Sequence, residues 1–280
     1  MGAQLPASRA IRKSLRSSKG LLIIILAALA GVAMAVGGAA AAGPGLAGAV
    51  GAAAAIDAVV LRWRRGRWTL PDGAILTGLI VAMILSPQEP WHVTTVTSVL
   101  AIATKHSFRT RAANVFNPAA LAVVVTFYVS HTGLSWWGAL PDAPVATMLL
   151  LLVTGVFIAD RVNRMPLVLV FTGCYFLLFT AAAYLGDARH VTEIFRSPDV
   201  QAVLFFALFI LTDPPTSPIR YGRQVVYGVL VAVASFAIFM ELGAAHYLLS
   251  GVLVGNILEA WWRVRARRTR ARLATVTCPG

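Results

Sequence analysis

TDPPTSP, Thr212 to Pro218, interrupts one apolar stretch, AVLFFALFIL over 202–211, and precedes another, VVYGVLVAVASFAIFM over 225–240. Three prolines in seven residues cannot continue a helix, because proline lacks the backbone N–H and clashes with the preceding turn. Asp213, two threonines and a serine are costly at membrane depth unless they line a protein cavity. A weaker echo, LSPQEPW over 85–91, again lies between two apolar runs. Two such breaks in corresponding places predict an internal repeat with a site between its halves.

The 280 residues are 58% hydrophobic and only 12% charged, the composition of a polytopic membrane protein. Apolar runs fall at 20–41, 44–62, 72–86, 91–105, 115–130, 144–160, 165–185, 199–212, 219–240 and 243–262. The expected fold is all-α: ten transmembrane helices in two inverted five-helix repeats with proline-broken helices. Its divisions are a basic cytoplasmic N-terminus (1–19), a first repeat (20–130), an outer loop (131–143), a second repeat (144–262) and a basic cytoplasmic tail (263–280). The N-terminal apolar run has the pattern of a signal peptide and is read here as the first helix.

The basic residues support this count through the positive-inside rule. Of the 24 Lys and Arg, all but Arg189 and Arg196 fall in segments assigned to the inner side. The net charge of +13 is therefore a topology signal and points away from nucleic acid. The tail RVRARRTRAR reads as a solvated stop signal, with anionic lipid as its alternative partner. The expected location is the plasma membrane, with both termini cytoplasmic. GGAAAAGPGLAGAVGAAAA over 37–55 permits close helix packing.

NVFNPAA, Asn114 to Ala120, is the second distinctive element. Two asparagines three apart share a helical face or form a cap, and their amides can bond a polar ring edge. On spacing alone, capping followed by an N-terminal proline is the stronger reading. His92, His106, His131, His190 and His246 lie near span ends or in loops, with no pair placed for a bis-His haem. Cys174 and Cys278 suggest no disulfide framework. Asp57, Glu241 and Glu259 read as snorkelling or interfacial pairing partners.

DGAILTGLIVAMILSP, NVFNPAALA and LTDPPTSPIRYGRQVVYG, in that order, resemble the membrane flavoprotein subunits B of the sodium-pumping NADH:quinone reductase and D of the Rnf electron-transport complex. Asp72-Gly73 and Thr77-Gly78 carry the third-span likeness. Asn114, Phe116, Asn117 and Pro118 carry the Asn-Pro-Phe-Asn-Pro likeness, with Val115 in place of its first proline. Thr212, Asp213, Pro214, Thr216, Ser217 and Pro218, then Gly222, Arg223, Tyr227 and Gly228, carry the last and most specific one.

The resemblance implies a flavin-binding electron-transfer subunit working with other membrane redox subunits. The implied cofactor is riboflavin or FMN, held noncovalently. Its implied site residues are Asn114, Phe116, Asn117, Thr212, Asp213, Thr216, Ser217 and Arg223. The family's Ser-Gly-Ala-Thr attachment motif is reduced here to Asp142 and Ala146-Thr147, so covalent FMN is not expected. Thr147 reads instead as a helix-start residue after Pro144. Trp136-Trp137 read as an interfacial belt. A small-solute transporter or channel using the same cavity is the alternative. A further reading is a stand-alone relative of the kind that resembles those accompanying enediyne biosynthesis.

Overall fold

The structure, a computed structural model, describes residues 17–109, 114–186 and 191–276, with no side-chain account of 65, 145 or 267–276. Arg111, Arg189, His190, Cys278 and the N-terminal basic residues up to Arg16 lie outside it. The described residues are almost wholly helical. The α-helices are α1 (Ser18–Gly37), α2 (Ala39–Arg65), α3 (Asp72–Ile84), α4 (Trp91–Ser107) and α5 (Pro118–Ser130), then α6 (Val145–Arg161), α7 (Met165–Leu185), α8 (Asp199–Phe205), α9 (Tyr221–Leu242) and α10 (Tyr247–Val276). A π-helical turn, Phe206–Ile210, continues α8. The Ser17 side chain caps α1 by accepting from the Gly20 N–H at 3.1 Å. Gly38, at φ 99°, supplies the kink that separates α1 from α2.

The expectation of ten spans in two inverted repeats is corrected. Among the described residues, four helices are long and apolar enough to cross a membrane: Ser18–Gly37, Ala39–Arg64, Met165–Leu185 and Tyr221–Leu242. Helices α3 and α5 have 13 residues each and reach about 20 Å at 1.5 Å per residue, against a hydrocarbon core of about 30 Å. α5 is buried over its first half and exposes Val125, Tyr128 and Val129, whereas the apolarity of α3 and of the α8–π segment has another cause, since both are core. Residues 77–85 are buried, as are Phe205 through Leu211. A hydropathy run cannot distinguish a lipid-facing helix from one surrounded by protein. The four long helices behave differently: only 17–28% of their apolar windows is buried. Apolar surface so exposed calls for lipid, and the protein is membrane-associated.

The polar breaks end two buried helices, α3 and the α8–π segment, and freed carbonyls there find partners. After α3, Ile84 O accepts the N–H of Ser135 at 3.0 Å and of Trp136 at 3.1 Å. Ala82 O accepts the Trp137 indole N–H at 2.6 Å. Trp136 and Trp137 are therefore buried, not an interfacial belt, and Trp136 meets Phe205 edge-on at 6.4 Å. Buried tryptophans cost little when the indole N–H is satisfied.

Small residues bring the long helices together. A Cβ on Gly78 would lie 2.9 Å from Ala49 O, so α3 meets α2 backbone to backbone. Ala42, Ala49 and Ala53 form the buried face of α2, and Asp57 continues it one turn on. On the other side, a Cβ on Gly255 would lie 2.6 Å from Val231 Cγ2, which seats α10 against α9.

Candidate functional site

A cavity of about 440 Å³ opens where several helix ends meet. Ser18 and Lys19 come from the start of α1, and Asp57 and Leu61 from the last turns of α2. Asp72 and Gly73 come from the start of α3, Lys105 and His106 from the end of α4, and Asn117 from the cap of α5. Asn114, Arg109, Val162, Phe209 and the Asp213-Pro214-Pro215 turn also line the cavity. Leu22, Leu76 and Ile80 make its apolar side.

One wall is ionic. The Asp57 carboxylate, 2% exposed, receives Lys105 Nζ at 3.2 Å and lies 2.8 Å from His106 Nε2. Asp57 is thus a pairing partner, as expected, within a buried wall. Burial lowers the Lys105 pKa, and Asp57 opposes the shift. Lys105 lies directly over Gly73, where an added Cβ would sit 3.3 Å from Nζ.

Asn117 is the N-cap of α5, its Oδ1 accepting from the Ala120 N–H at 3.1 Å. The capping reading therefore holds, and this oxygen is engaged. Its own N–H donates to Asn256 Oδ1 at 2.7 Å. Asn114 faces the cavity while its backbone bridges to Arg109. Phe116 does not line the cavity; it packs edge-on against Phe108 at 5.8 Å.

The TDPPTSP turn divides between scaffold and surface. Thr212 Oγ1 donates to Leu208 O at 2.7 Å, Thr216 Oγ1 to Asp213 Oδ2 at 3.0 Å, and Ser217 Oγ to Asp213 O at 2.9 Å. These three hydroxyls shape the turn and do not line the cavity. Asp213 does. Burial raises its carboxyl to about 6, against the Thr216 hydroxyl and the positive charges of Lys19, Lys105 and Arg164. Arg223 stands apart, over the Trp262 ring at 5.6 Å. Of the eight expected site residues, the structure thus brings together Asn114, Asn117 and Asp213 and leaves the other five off the cavity wall.

The two breaks do not share this site. Pro87 and Gln88 of the first line a separate cavity of about 140 Å³ with Trp137 and Asp142. Thr147 lies in the first turn of α6, its hydroxyl donating to Pro144 O at 2.6 Å, as a helix-start residue does. His131 is the α5 C-cap, and His246 packs on Phe127 at 4.7 Å.

Sequence reasoning missed the residues that hold the turn. Arg164, before α7, donates from Nε to Ser217 Oγ at 2.8 Å. Arg263, on α10, donates to Pro215 O at 2.8 Å and Ser217 O at 3.1 Å, while its Nε bonds Glu259 at 2.7 Å. Both arginines read as topology charges in the sequence. The signal that could have found them is chemical: a turn with two consecutive prolines has carbonyls and few N–H groups, so its donors must come from elsewhere.

A model of the NQR2, RnfD, RnfE family matches residues 6–150, slightly over half of the chain. The chain belongs to the NQR2, RnfD, RnfE family. The match spans α1 to α5, and so takes in Asn114, Asn117 and the ionic wall, but not the TDPPTSP side. It gives no support to the narrower enediyne link. No curated protein matches the chain.

Proposed function

We propose that this member of the NQR2, RnfD, RnfE family is a membrane electron-transfer subunit that holds riboflavin or FMN without a covalent bond. The reading is carried by one observation: a single cavity gathers Asn114 and Asn117, from the family-matched half, with Asp213 from the other. Its volume of about 440 Å³ is in the roughly 300–1,000 Å³ range of small-molecule sites. Leu22, Leu76, Ile80 and Phe209 offer an apolar wall to a planar ring. The Asn114 amide and the Lys105 ammonium offer donors to its polar edge, so the donor set fits the group.

A bound flavin supplies electron acceptance and donation, which no side chain here provides. The chain's own residues do the rest. Asn114 would bond the polar edge of the ring, and the Asn117 cap fixes the α5 start beside it. Lys105, paired with Asp57, would present positive charge to the bound group. Asp213 sets the charge of the facing wall. Other membrane redox subunits are the proposed donor and acceptor.

The test is a visible spectrum of the chain purified in mild detergent. Flavin absorbance that survives gel filtration and is released by acid supports the reading. Asn114→Ala and Asp213→Asn should each lower flavin occupancy. These positions are chosen because Asn117→Ala would also remove a helix cap. Full occupancy in both variants rejects the site. A colourless protein that moves a small solute into vesicles rejects the function.

A further inference from the structure

One face of α10 touches both sides of the cavity without lining it. Asn256 and Glu259 are three residues apart, and Arg263 follows four later, so the three project from one side of the helix. Asn256 is fully buried. Its Oδ1 accepts the Asn117 N–H at 2.7 Å, and its Nδ2 donates to Tyr227 Oη at 2.6 Å. Glu259, one turn on, holds Arg263 two turns on, whose remaining donors grip Pro215 O and Ser217 O. Asn117 belongs to one wall and Pro215 to the other.

We propose that Asn256 and Arg263 are positioning residues, and that α10 is the strut that sets the separation of the two cavity walls. The inference rests on the flavin reading only for what the cavity holds. Its physical basis is independent. Neither wall can set the spacing alone: the α5 start is capped within itself, and Pro214 and Pro215 have no N–H to reach across. A helix is rigid over two turns, so bonds at 256 and 263 fix one wall relative to the other. The close seat of α10 on α9, at Gly251 and Gly255, prevents the strut from sliding. Arg164 grips the same turn from the α6–α7 connection, which keeps the turn folded when Arg263 is lost.

The test uses the full chain in detergent with Cys174 and Cys278 replaced by alanine and spin labels at Ser107→Cys and Ile219→Cys. These positions flank the two walls, and both are exposed. The parent should give one narrow inter-label distance. Asn256→Ala and Arg263→Ala should each broaden or shift it, while Arg263→Lys should restore part of the parental profile. An unchanged distribution in both alanine variants overturns the strut. A flavin titration forms the second arm. Each alanine variant should weaken binding at least tenfold, and the double variant should be little worse than either single one, because a spacing is lost only once. Additive losses overturn the strut even where flavin binds. A parent that binds no flavin rejects the proposed function, and the distance measurement then decides the strut alone.

Discussion

Removing the Asp57 carboxylate is the sharpest perturbation of the cavity wall. Asp57 is 2% exposed and is the shared partner of Lys105 and His106, at 3.2 and 2.8 Å. Asp57→Ala leaves the Lys105 ammonium, whose side chain is 17% exposed, without its counter-charge. Breaking a fully buried pair costs about 3–5 kcal/mol. Lys105 retains some solvent contact and can release its proton, so the expected loss is lower, about 2–4 kcal/mol. Replacing the cation as well, in Asp57→Ala with Lys105→Met, removes the stranded charge and keeps its stem packed over Gly73. The double variant should recover at least ~1 kcal/mol of the loss.

The pH dependence has a definite sign. Burial already lowers the Lys105 pKa, and Asp57 is the largest influence raising it. Without Asp57 the folded-state pKa falls further below the unfolded value of about 10.5. The unfolded chain then binds more protons, and stability rises with pH across that window. The Asp57→Ala penalty should therefore shrink as pH climbs from 7 toward 10. Reversible denaturant titration in detergent, across that pH range, measures both effects. A loss under about 1 kcal/mol, or a double variant no better than the single one, refutes the ionic wall as described.

Three further outcomes follow from geometry. Gly78→Val places side-chain atoms against the Ala49 carbonyl and should cost about 1–3 kcal/mol or more; Gly31→Ala in α1, with open space around it, should be neutral or stabilising by up to about 1 kcal/mol, and thermal melts separate them. Asp213 titrates near 6 when folded, above its unfolded value of 3.8, so its contribution is fully present below about pH 4 and lost as pH rises through 6; Asp213→Asn should abolish that ~2–3 kcal/mol slope in pH-dependent unfolding. Ser217→Ala removes the acceptor of Arg164 Nε and should cost about 1–3 kcal/mol by the same titration, with Ser217→Thr the milder change.

Helix ends were legible in the sequence where proline marks them: Pro118 behind Asn117 and Pro144 before α6 each sit where local chemistry places a boundary. The apolar runs place the α1–α2 boundary between residues 41 and 44, but it falls at Gly38, and Pro44 lies inside α2. What hydropathy could not tell was the surroundings of each apolar run. Residues 77–84 and 205–211 are as apolar as a lipid-facing segment, yet their neighbours are the protein itself. Spanning length decides the matter, and 13 residues fall short of it. Charge alternation was a weak arbiter for the same reason: a basic residue at a helix end marks a span boundary or grips a turn. Arg164 and Arg263 do the second.

The site was legible in its location more than in its working groups. Both distinctive motifs do reach one cavity, because polar residues that end buried helices must face either solvent or a partner. Within each motif, though, short hydroxyl side chains bond nearby backbone before they bond a ligand. Thr212, Thr216 and Ser217 are spent this way, and Asn117 Oδ1 caps its helix. The groups that line the cavity are the Asn114 amide, the Asp213 carboxylate, which also accepts from the Thr216 hydroxyl of its own turn, and the Asp57–Lys105–His106 set. The last set is spread over two helices 48 and 49 residues apart in the chain, so no spacing rule could join it. Residues in a polar break that ends a buried helix therefore need to be divided by side-chain reach. The short hydroxyls bond back to their own turn and build it, while the Asn114 amide and the Asp213 carboxylate reach the cavity.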